Sequence, residues 1–117
     1  MIQANELRIG NMVYKSLKSG QGRTVINPIG CQDIVRIFED IGSFNYAPIQ
    51  LTEDILLKCG FEYDFISYNL HFGIDWHNGV LRFSQGKGQT IFLPCTHLHQ
   101  LQNLYFALTQ KELTIKL

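Results

Sequence analysis

The sequence predicts an α+β fold, an antiparallel β-meander covered by a C-terminal helix. Three observations predict it: a strand pattern that ends in Asn78-Gly79, a short capped helix after Thr52, and an apolar stripe at helical spacing near the C-terminus. A small SH3-like β part at the N-terminus and the short central helix complete the prediction. We expect a single domain over residues 1–117, with the N-terminal β part at about 1–47 and the other elements at about 48–117.

The central hairpin supplies the strongest local signal. Apolar and polar positions alternate from residue 70, with Leu70, Phe72, Ile74 and Trp76 on the apolar side. The Asn78-Gly79 dipeptide tolerates positive φ at both positions, as a two-residue type I′ turn requires. That turn places Trp76 opposite Leu81 and Asp75 opposite Arg82. We therefore predict one strand from residue 70 to 76, with Trp76 and Leu81 buried together beneath the last helix.

The central helix carries start and stop signals at both ends. Thr52 is a good N-cap, and acidic residues follow it in the first turn, where the helix dipole favours them. Gly60 suits the left-handed position after the helix, which lets Phe61 fold back onto Leu56. The expected buried side consists of Ile55, Leu56 and Cys59.

The N-terminal part is less sharply patterned. Residues 12–14 and 24–26 suggest two strands around a Gly-rich loop, an order that looks like the opening of a small SH3-like barrel. Residues 32–41 fit either a helical face or a buried strand, and we predict a strand because Ile and Val are dense there.

The C-terminal half predicts a meander of about four strands from 61 to 93 and then a helix that Thr96 can cap. The apolar stripe of this helix comprises Leu98, Leu101, Leu104, Tyr105 and Leu108. Apolar positions 113, 115 and 117 then alternate with polar ones, so we predict a final strand that docks on the protein's own sheet.

Composition narrows the classes of function. Ten basic and ten acidic residues give zero net charge, whereas nucleic-acid binders usually carry an excess of basic residues. No apolar run approaches the ~20 residues that span a bilayer, so we expect no membrane contact. The N-terminal residues lack the pattern of a signal peptide, and three widely spaced cysteines are typical of reduced thiols. Both features predict a cytoplasmic protein.

Cys95, His97 and His99 are the best metal-ligand candidates in the sequence. At a helix start, however, His97 and His99 diverge by roughly 200°. We therefore expect no metal and no cofactor, with both histidines on the first turn of a surface helix and Cys95 in the core. No catalytic motif is present, so no catalytic residue is assigned and no enzyme activity is expected.

A second group of candidates suggests nucleic-acid binding as an alternative. The N-terminal part carries a possible basic patch with an aromatic residue for base stacking, formed by Arg8, Tyr14, Lys15, Lys18 and Arg23.

Three stretches carry a resemblance to a known family. They are NELRIGN at residues 5–11, PIQLT through KCGF at 48–61, and HQLQNLYFALT at 99–109. Together they resemble a family of short uncharacterised proteins of gut anaerobic bacteria and their prophages. The family usually has Gly after the Ala-Leu-Thr, where this chain has Gln110. The resemblance implies a cytoplasmic protein encoded by a mobile element, and it implies no activity or ligand.

The sequence thus favours a small non-enzymatic interaction or scaffolding module with an unknown protein partner, either monomeric or a homodimer. Nucleic-acid binding by the SH3-like part is the alternative, and a small metal-dependent enzyme is a more distant one.

Overall fold

The computed structural model describes residues 2–20, 22–70, 73–85 and 89–116, and it confirms the predicted α+β class. Two predictions fall partly outside this range, because His71 and Phe72 of the expected central strand and Leu117 of the expected last strand are not described. The elements in order are a 3₁₀ turn Ala4–Glu6, β1 Met12–Leu17, β2 Val25–Pro28, α1 Cys31–Glu39, β3 Phe44–Ala47, α2 Glu53–Lys58, β4 Glu62–Tyr63, β5 Tyr68–Leu70, β6 Ile74–His77, β7 Val80–Gln85, β8 Gln89–Pro94 and α3 Leu98–Thr109. Within the described ranges, no helix is long and apolar enough to cross a membrane.

The chain forms two compact units. The first, here called unit N, comprises Met1–Gln50 and His97–Asn103, and the second, unit C, comprises Leu51–Thr96 and Leu104–Leu117. The predicted division, with an N-terminal β part at about 1–47 and the other elements at about 48–117, stays a prediction. The expectation of a single domain stays a prediction.

Unit N contains a three-stranded antiparallel sheet in the order β2-β1-β3. The two predicted strands pair with each other, with Tyr14 opposite Ile26, and β3 pairs with the other side of β1. Helix α1 lies between β2 and β3 in the chain. The SH3-like character of this part stays a prediction.

Residues 32–41 were expected to form a strand, and this expectation is wrong. Most of the segment belongs to α1, because local capping and packing outweigh the β propensity of Ile and Val. Asp33 accepts a hydrogen bond from the Gly30 N–H at 2.9 Å, which satisfies a free amide at the helix start. Ile34 and Ile37 share one side of the helix and pack against the core of Ile2, Val13 and Ile29.

Unit C contains a five-stranded antiparallel sheet in the order β4-β5-β6-β7-β8. The predicted register of the central hairpin is confirmed, with Trp76 opposite Leu81 and Asp75 opposite Arg82. Asn78 and Gly79 both have positive φ, at 48° and 83°, as a type I′ turn requires. The Arg82 Nε donates to Asp75 Oδ1 at 2.9 Å, so the expected cross-strand ion pair is also present.

The prediction of one strand over residues 70–76 is wrong. β5 ends at Leu70 and β6 begins at Ile74, and these two residues face each other across a hairpin. Gly73 has a φ of +71°, and a Cβ on it would lie 2.7 Å from the Ser84 carbonyl oxygen. The Ser84 N–H also donates to the Gly73 carbonyl at 3.0 Å. Glycine can adopt this positive φ and can lie this close to β7. Gly73 therefore interrupts the strand that the alternation of apolar and polar residues predicted.

The caps of α2 follow the sequence prediction. Thr52 Oγ1 accepts a hydrogen bond from the Ile55 N–H at 3.3 Å. At the other end Gly60 has a φ of +93°, and the Phe61 N–H donates to the Leu56 carbonyl at 3.1 Å, as in a Schellman motif. The predicted buried side, comprising Ile55, Leu56 and Cys59, is buried.

Trp76 and Leu81 differ in burial although they face each other. Leu81 is fully buried, as predicted, whereas Trp76 is only half-buried. The Trp76 indole N–H donates to the Cys95 carbonyl at 2.8 Å. The ring thus lies at a half-buried position where its N–H still has a hydrogen-bond partner, as is usual for tryptophan. That α3 lies over the pair stays a prediction.

The chain beyond α3 does not form the predicted strand in its described residues, 112–116. Leu113 is buried, and the Lys116 N–H donates to the Lys58 carbonyl at the end of α2. The segment therefore docks on its own unit through a helix end, where an unpaired carbonyl is available.

Candidate protein-binding groove

The three metal-ligand candidates, Cys95, His97 and His99, lie in different surroundings. Burial raises the pKa of the Cys95 thiol to about 12, so this thiol stays protonated. His97 directly precedes α3, and its N–H donates to Gln100 Oε1 at 3.2 Å. Capping of α3 by Thr96 stays a prediction. His99 is 1% exposed, so its expected surface position is wrong. Across the described ranges, no group of three or more His, Cys, Asp or Glu could hold a metal ion.

His99 forms a pair with Glu6. Its Nε2 lies 3.1 Å from Glu6 Oε1, and its Nδ1 is buried without a hydrogen-bond partner among the described residues. Burial lowers the pKa of His99 and outweighs the opposing effect of the Glu6 carboxylate. A general base must be within hydrogen-bond reach of a substrate. With 1% exposure His99 offers no such access, and we interpret this pair as structural.

The Gln102 amide binds the chain at the start of β1. Its Oε1 accepts from the Met12 N–H at 2.7 Å, and its Nε2 donates to the Gly10 carbonyl at 3.2 Å. The side chain thus pairs with the backbone of unit N as a neighbouring strand would, and it satisfies buried polar groups.

Asn103 extends the same network. Its Oδ1 accepts from Asn11 Nδ2 at 2.8 Å and from Arg8 Nε at 3.2 Å, and its Nδ2 donates to the Glu6 carbonyl at 3.0 Å. Two of the three segments that carry the family resemblance, 5–11 and 99–109, are therefore joined by hydrogen bonds. These polar residues build the fold, and Arg8 is engaged there.

Two of the remaining basic candidates, Lys15 and Lys18, each lie beside an acidic residue. Lys15 pairs with Asp33 at 3.3 Å and lies over the Phe44 ring, and Lys18 lies 3.9 Å from Asp40. Tyr14 points to the opposite side of β1 from Lys15, because side chains alternate along a strand. Arg23 and Lys15 share an open groove of about 460 Å³.

Asp33 illustrates how these charges are neutralised inside unit N. Burial alone would raise its pKa, but hydrogen bonds from the Gly30 N–H, the Tyr46 hydroxyl and the Lys15 ammonium outweigh burial and hold the pKa below its usual value. Asp33 therefore stays ionised, and the positive charge of Lys15 is balanced.

Unit C carries a second open groove, of about 490 Å³, which we call the aromatic groove. It lies along β4, β5 and β6 and the start of α2. Its lining residues are Leu51, Thr52, Glu53, Tyr63, Ile66, Tyr68, Trp76, His77 and Asn78.

Strand pairing aligns the rings of the aromatic groove in a ladder. Tyr68 lies opposite Tyr63 on one neighbouring strand and opposite Trp76 on the other. The ring centroids are 4.9 Å apart in the first pair and 6.2 Å apart in the second, within the range of favourable aromatic contacts. Burial and a hydrogen bond to Glu53 raise the pKa of Tyr68, so its hydroxyl stays protonated. The three rings therefore lie in contact along the groove.

One end of the aromatic groove is a strained turn. Phe65 has a φ of 75° and is 91% exposed, and the neighbouring Ile66 is 71% exposed. Asp64 Oδ1 accepts from the N–H groups of Ile66 and Ser67, at 3.1 and 2.9 Å, and this bonding holds the turn. A positive φ costs a bulky residue on the order of 1–3 kcal/mol. The turn thus presents an apolar ring to solvent at an energetic cost, which is typical of binding sites.

The sequence prediction missed this surface. The alternation of Phe61, Tyr63 and Phe65 with Glu62 and Asp64 predicts a first meander strand that reaches residue 65, whereas β4 ends at Tyr63. The available signal was Asp64 followed by Ser67, since Asp side chains accept hydrogen bonds from amides two and three residues later in tight turns.

Comparisons of the chain with models of protein families, with curated proteins and with solved structures find no match. The family resemblance stays a prediction.

Proposed function

We propose that this protein is a non-enzymatic interaction module that binds an extended segment of a partner protein in the aromatic groove. The observation that carries the proposal is the ladder of Tyr63, Tyr68 and Trp76. The ring of Phe65, which is strained and exposed, lies beside the ladder with its centroid 6.2 Å from that of Tyr63. Rigid aromatic side chains bind with little loss of conformational entropy, so such rings are frequent in binding surfaces.

The groove favours a particular partner chemistry. Aromatic-lined grooves bind extended polyproline II segments, whose rigid backbone loses little entropy on binding. Of the described residues, Glu53 is the one charged residue that lines the groove, and Asp64 lies in the adjacent turn. These acids complement a basic side chain. We therefore expect a proline-containing segment with a flanking Arg or Lys.

The same charges argue against nucleic acid in this groove. Binding of single strands combines stacking rings with Lys and Arg that neutralise phosphates. In the part of the chain that the structure describes, no Lys or Arg lines the groove, and Glu53 repels phosphate.

Two buried thiols and one buried imidazole support a non-enzymatic role. Burial raises the pKa of Cys59 and of Cys95 to about 12, and a nucleophilic cysteine needs a lowered pKa. His99 is inaccessible. Cys31 is exposed, and a lone exposed thiol by itself defines no site.

The test uses Trp76, the only tryptophan of the chain, as a fluorescent reporter. The probe is a synthetic peptide with two prolines separated by two residues and one flanking arginine. We expect saturable changes in Trp76 emission, and a dissociation constant at least about tenfold larger for Phe65→Ala. Phe38→Ala is the matched control, because Phe38 is also highly exposed but lies in unit N.

Equal affinities for the wild type and Phe65→Ala would overturn the proposal, as would unchanged emission with the peptide. A single-stranded oligonucleotide serves as the competing probe. Emission changes with the oligonucleotide alone, weakened by salt, would support the nucleic-acid alternative.

A further inference from the structure

The two edges of the unit C sheet are protected very differently. β4 has two residues, one of them the charged Glu62, whereas β8 has six residues, Gln89–Pro94, and none is charged. Natural edge strands are usually kept short or carry charges, because unpaired backbone groups attract other strands. No described strand pairs with the outer edge of β8.

The register identifies which backbone groups of β8 point outward. The Cys95 N–H donates to the Gly79 carbonyl at 2.8 Å, directly beyond the pair Val80 and Pro94. In antiparallel sheets, hydrogen-bonded and non-hydrogen-bonded pairs alternate. Val80 and Pro94 therefore form a non-hydrogen-bonded pair, and the backbone groups of β8 that point away from β7 belong to positions 90, 92 and 94.

Pro94 agrees with this assignment. Proline has no N–H, and in sheets it occurs where that N–H would face away from the neighbouring strand. At position 94 the backbone nitrogen points to the outer edge of the sheet. The lack of an N–H there removes no hydrogen bond to β7. Thr90 and Phe92 are left as the two residues that offer both a donor and an acceptor to another strand.

We propose that β8 pairs antiparallel with β8 of a second copy of this chain, which forms a symmetric dimer with one sheet continuous across both copies. The two-fold axis passes beside Ile91. Thr90 of each copy then lies opposite Phe92 of the other, and these two residues exchange both of their backbone hydrogen bonds. Each copy contributes the same two donors and two acceptors.

A second copy is the occupant that fits this edge because β8 is self-complementary. A two-fold axis at Ile91 exchanges positions 90 and 92. The outward N–H and carbonyl groups of Thr90 and Phe92 therefore all find a partner in the second copy. Because β8 has no charged residue, self-pairing brings no like charges together. Ile91 and Phe92 are 40% and 63% exposed, and pairing would cover both apolar side chains.

This dimer is independent of the proposed groove function. The aromatic groove lies along β4, β5 and β6, and β8 is the opposite edge of the same sheet. Each copy would keep its groove.

The test is sedimentation velocity on the full-length protein over a range of concentrations. We expect the mass of the wild type to rise towards twice the monomer mass, and Thr90→Pro and Ile91→Lys to remain monomeric. Thr90→Pro removes an outward N–H without breaking a bond to β7, and Ile91→Lys places two like charges opposite each other at the axis. Glu62→Lys on β4 is the control, because it adds the same side chain at the other edge.

Backbone hydrogen exchange separates this model from other modes of dimerisation. The amides of Thr90 and Phe92 should be protected only at concentrations where the dimer forms, whereas those of Ile91 and Leu93 should be protected at all concentrations. A wild type that stays monomeric up to about 1 mM, the level of very weak binding, would overturn the proposal. So would a dimer that persists in both β8 variants.

Discussion

Asn11 donates a hydrogen bond to Asn103 Oδ1 at 2.8 Å and joins two segments that are 92 positions apart. Asn11 is fully buried, and its own Oδ1 accepts from the Arg8 N–H at 2.6 Å. The side chain therefore satisfies a backbone donor and a side-chain acceptor at once, which a nonpolar residue could not do.

Asn11→Ala should lower the free energy of unfolding by about 1–3 kcal/mol, because the Arg8 N–H and Asn103 Oδ1 both lose a partner inside unit N. Chemical denaturation measures the change. Asn5→Ala is the control, since Asn5 is exposed, and its effect should stay below about 0.5 kcal/mol. Equal effects of the two substitutions would contradict a structural role for Asn11.

Gly73→Ala should destabilise the protein more than Gly10→Ala. Both glycines have a positive φ, so both variants suffer the same kind of backbone strain. Only at Gly73 would the new Cβ also meet a backbone oxygen, that of Ser84 at 2.7 Å, whereas Gly10 has open space. We expect a loss above about 1 kcal/mol for Gly73→Ala in denaturant titrations. A larger loss for Gly10→Ala would show that β6 and β7 can separate at little cost.

Gln110→Gly should stabilise the protein by up to about 1 kcal/mol. Gln110 has a φ of 61° directly after α3, and the left-handed region costs a residue with a Cβ roughly 1–2 kcal/mol, against roughly 0.5–1 kcal/mol for the extra entropy of an unfolded glycine. Gln110→Ala keeps the strain and should bring no gain. Thermal melting of the three proteins decides the point, and a lower melting temperature for the glycine variant would contradict it.

The stability of the protein should fall as the pH drops below about 6.5. Burial lowers the pKa of His99 in the folded state from its usual value of 6.5, so between the two pKa values the unfolded chain binds more protons. The stabilising contribution is thus complete above the unfolded pKa and is lost as the pH falls towards the folded one.

Denaturation curves at several pH values test this, with His99→Gln as the informative variant. Its stability should depend less on pH in this window, whereas His77→Gln at an exposed position should behave like the wild type. The lowered pKa of Asp33 acts separately, because its contribution is lost only as the pH falls below about 3.8. An unchanged slope in His99→Gln would mean that His99 does not titrate differently on folding.

In the central hairpin and in α2, neighbouring residues determine the geometry, and there the sequence alone determined the structure. The Asn78-Gly79 turn predicts the register of β6 and β7, because the two positive φ values of the turn agree with three matched cross-strand pairs, two apolar and one of acid with base. The caps of α2 follow from Thr52 and Gly60 for the same reason, since their partners lie within a few residues along the chain.

Tertiary structure decided the features that depend on contacts distant in sequence. Residues 32–41 fit two periodicities, and packing of Ile34 and Ile37 on the unit N core selects the helix. Gly73 breaks an alternating pattern because Ser84 approaches it, and the last described residues dock on Lys58 through one hydrogen bond where a strand was expected.

The aromatic groove and the β8 edge also depend on contacts between residues that are distant in sequence. The sequence contains the rings of Tyr63, Tyr68 and Trp76, but only pairing of three strands aligns them, and only the order of the sheet makes β8 an edge. His99 looked like a surface residue because the sequence does not show which face of a helix start is buried. A side chain's neighbours along the chain are known in advance, whereas its neighbours in space exist only once the chain has folded.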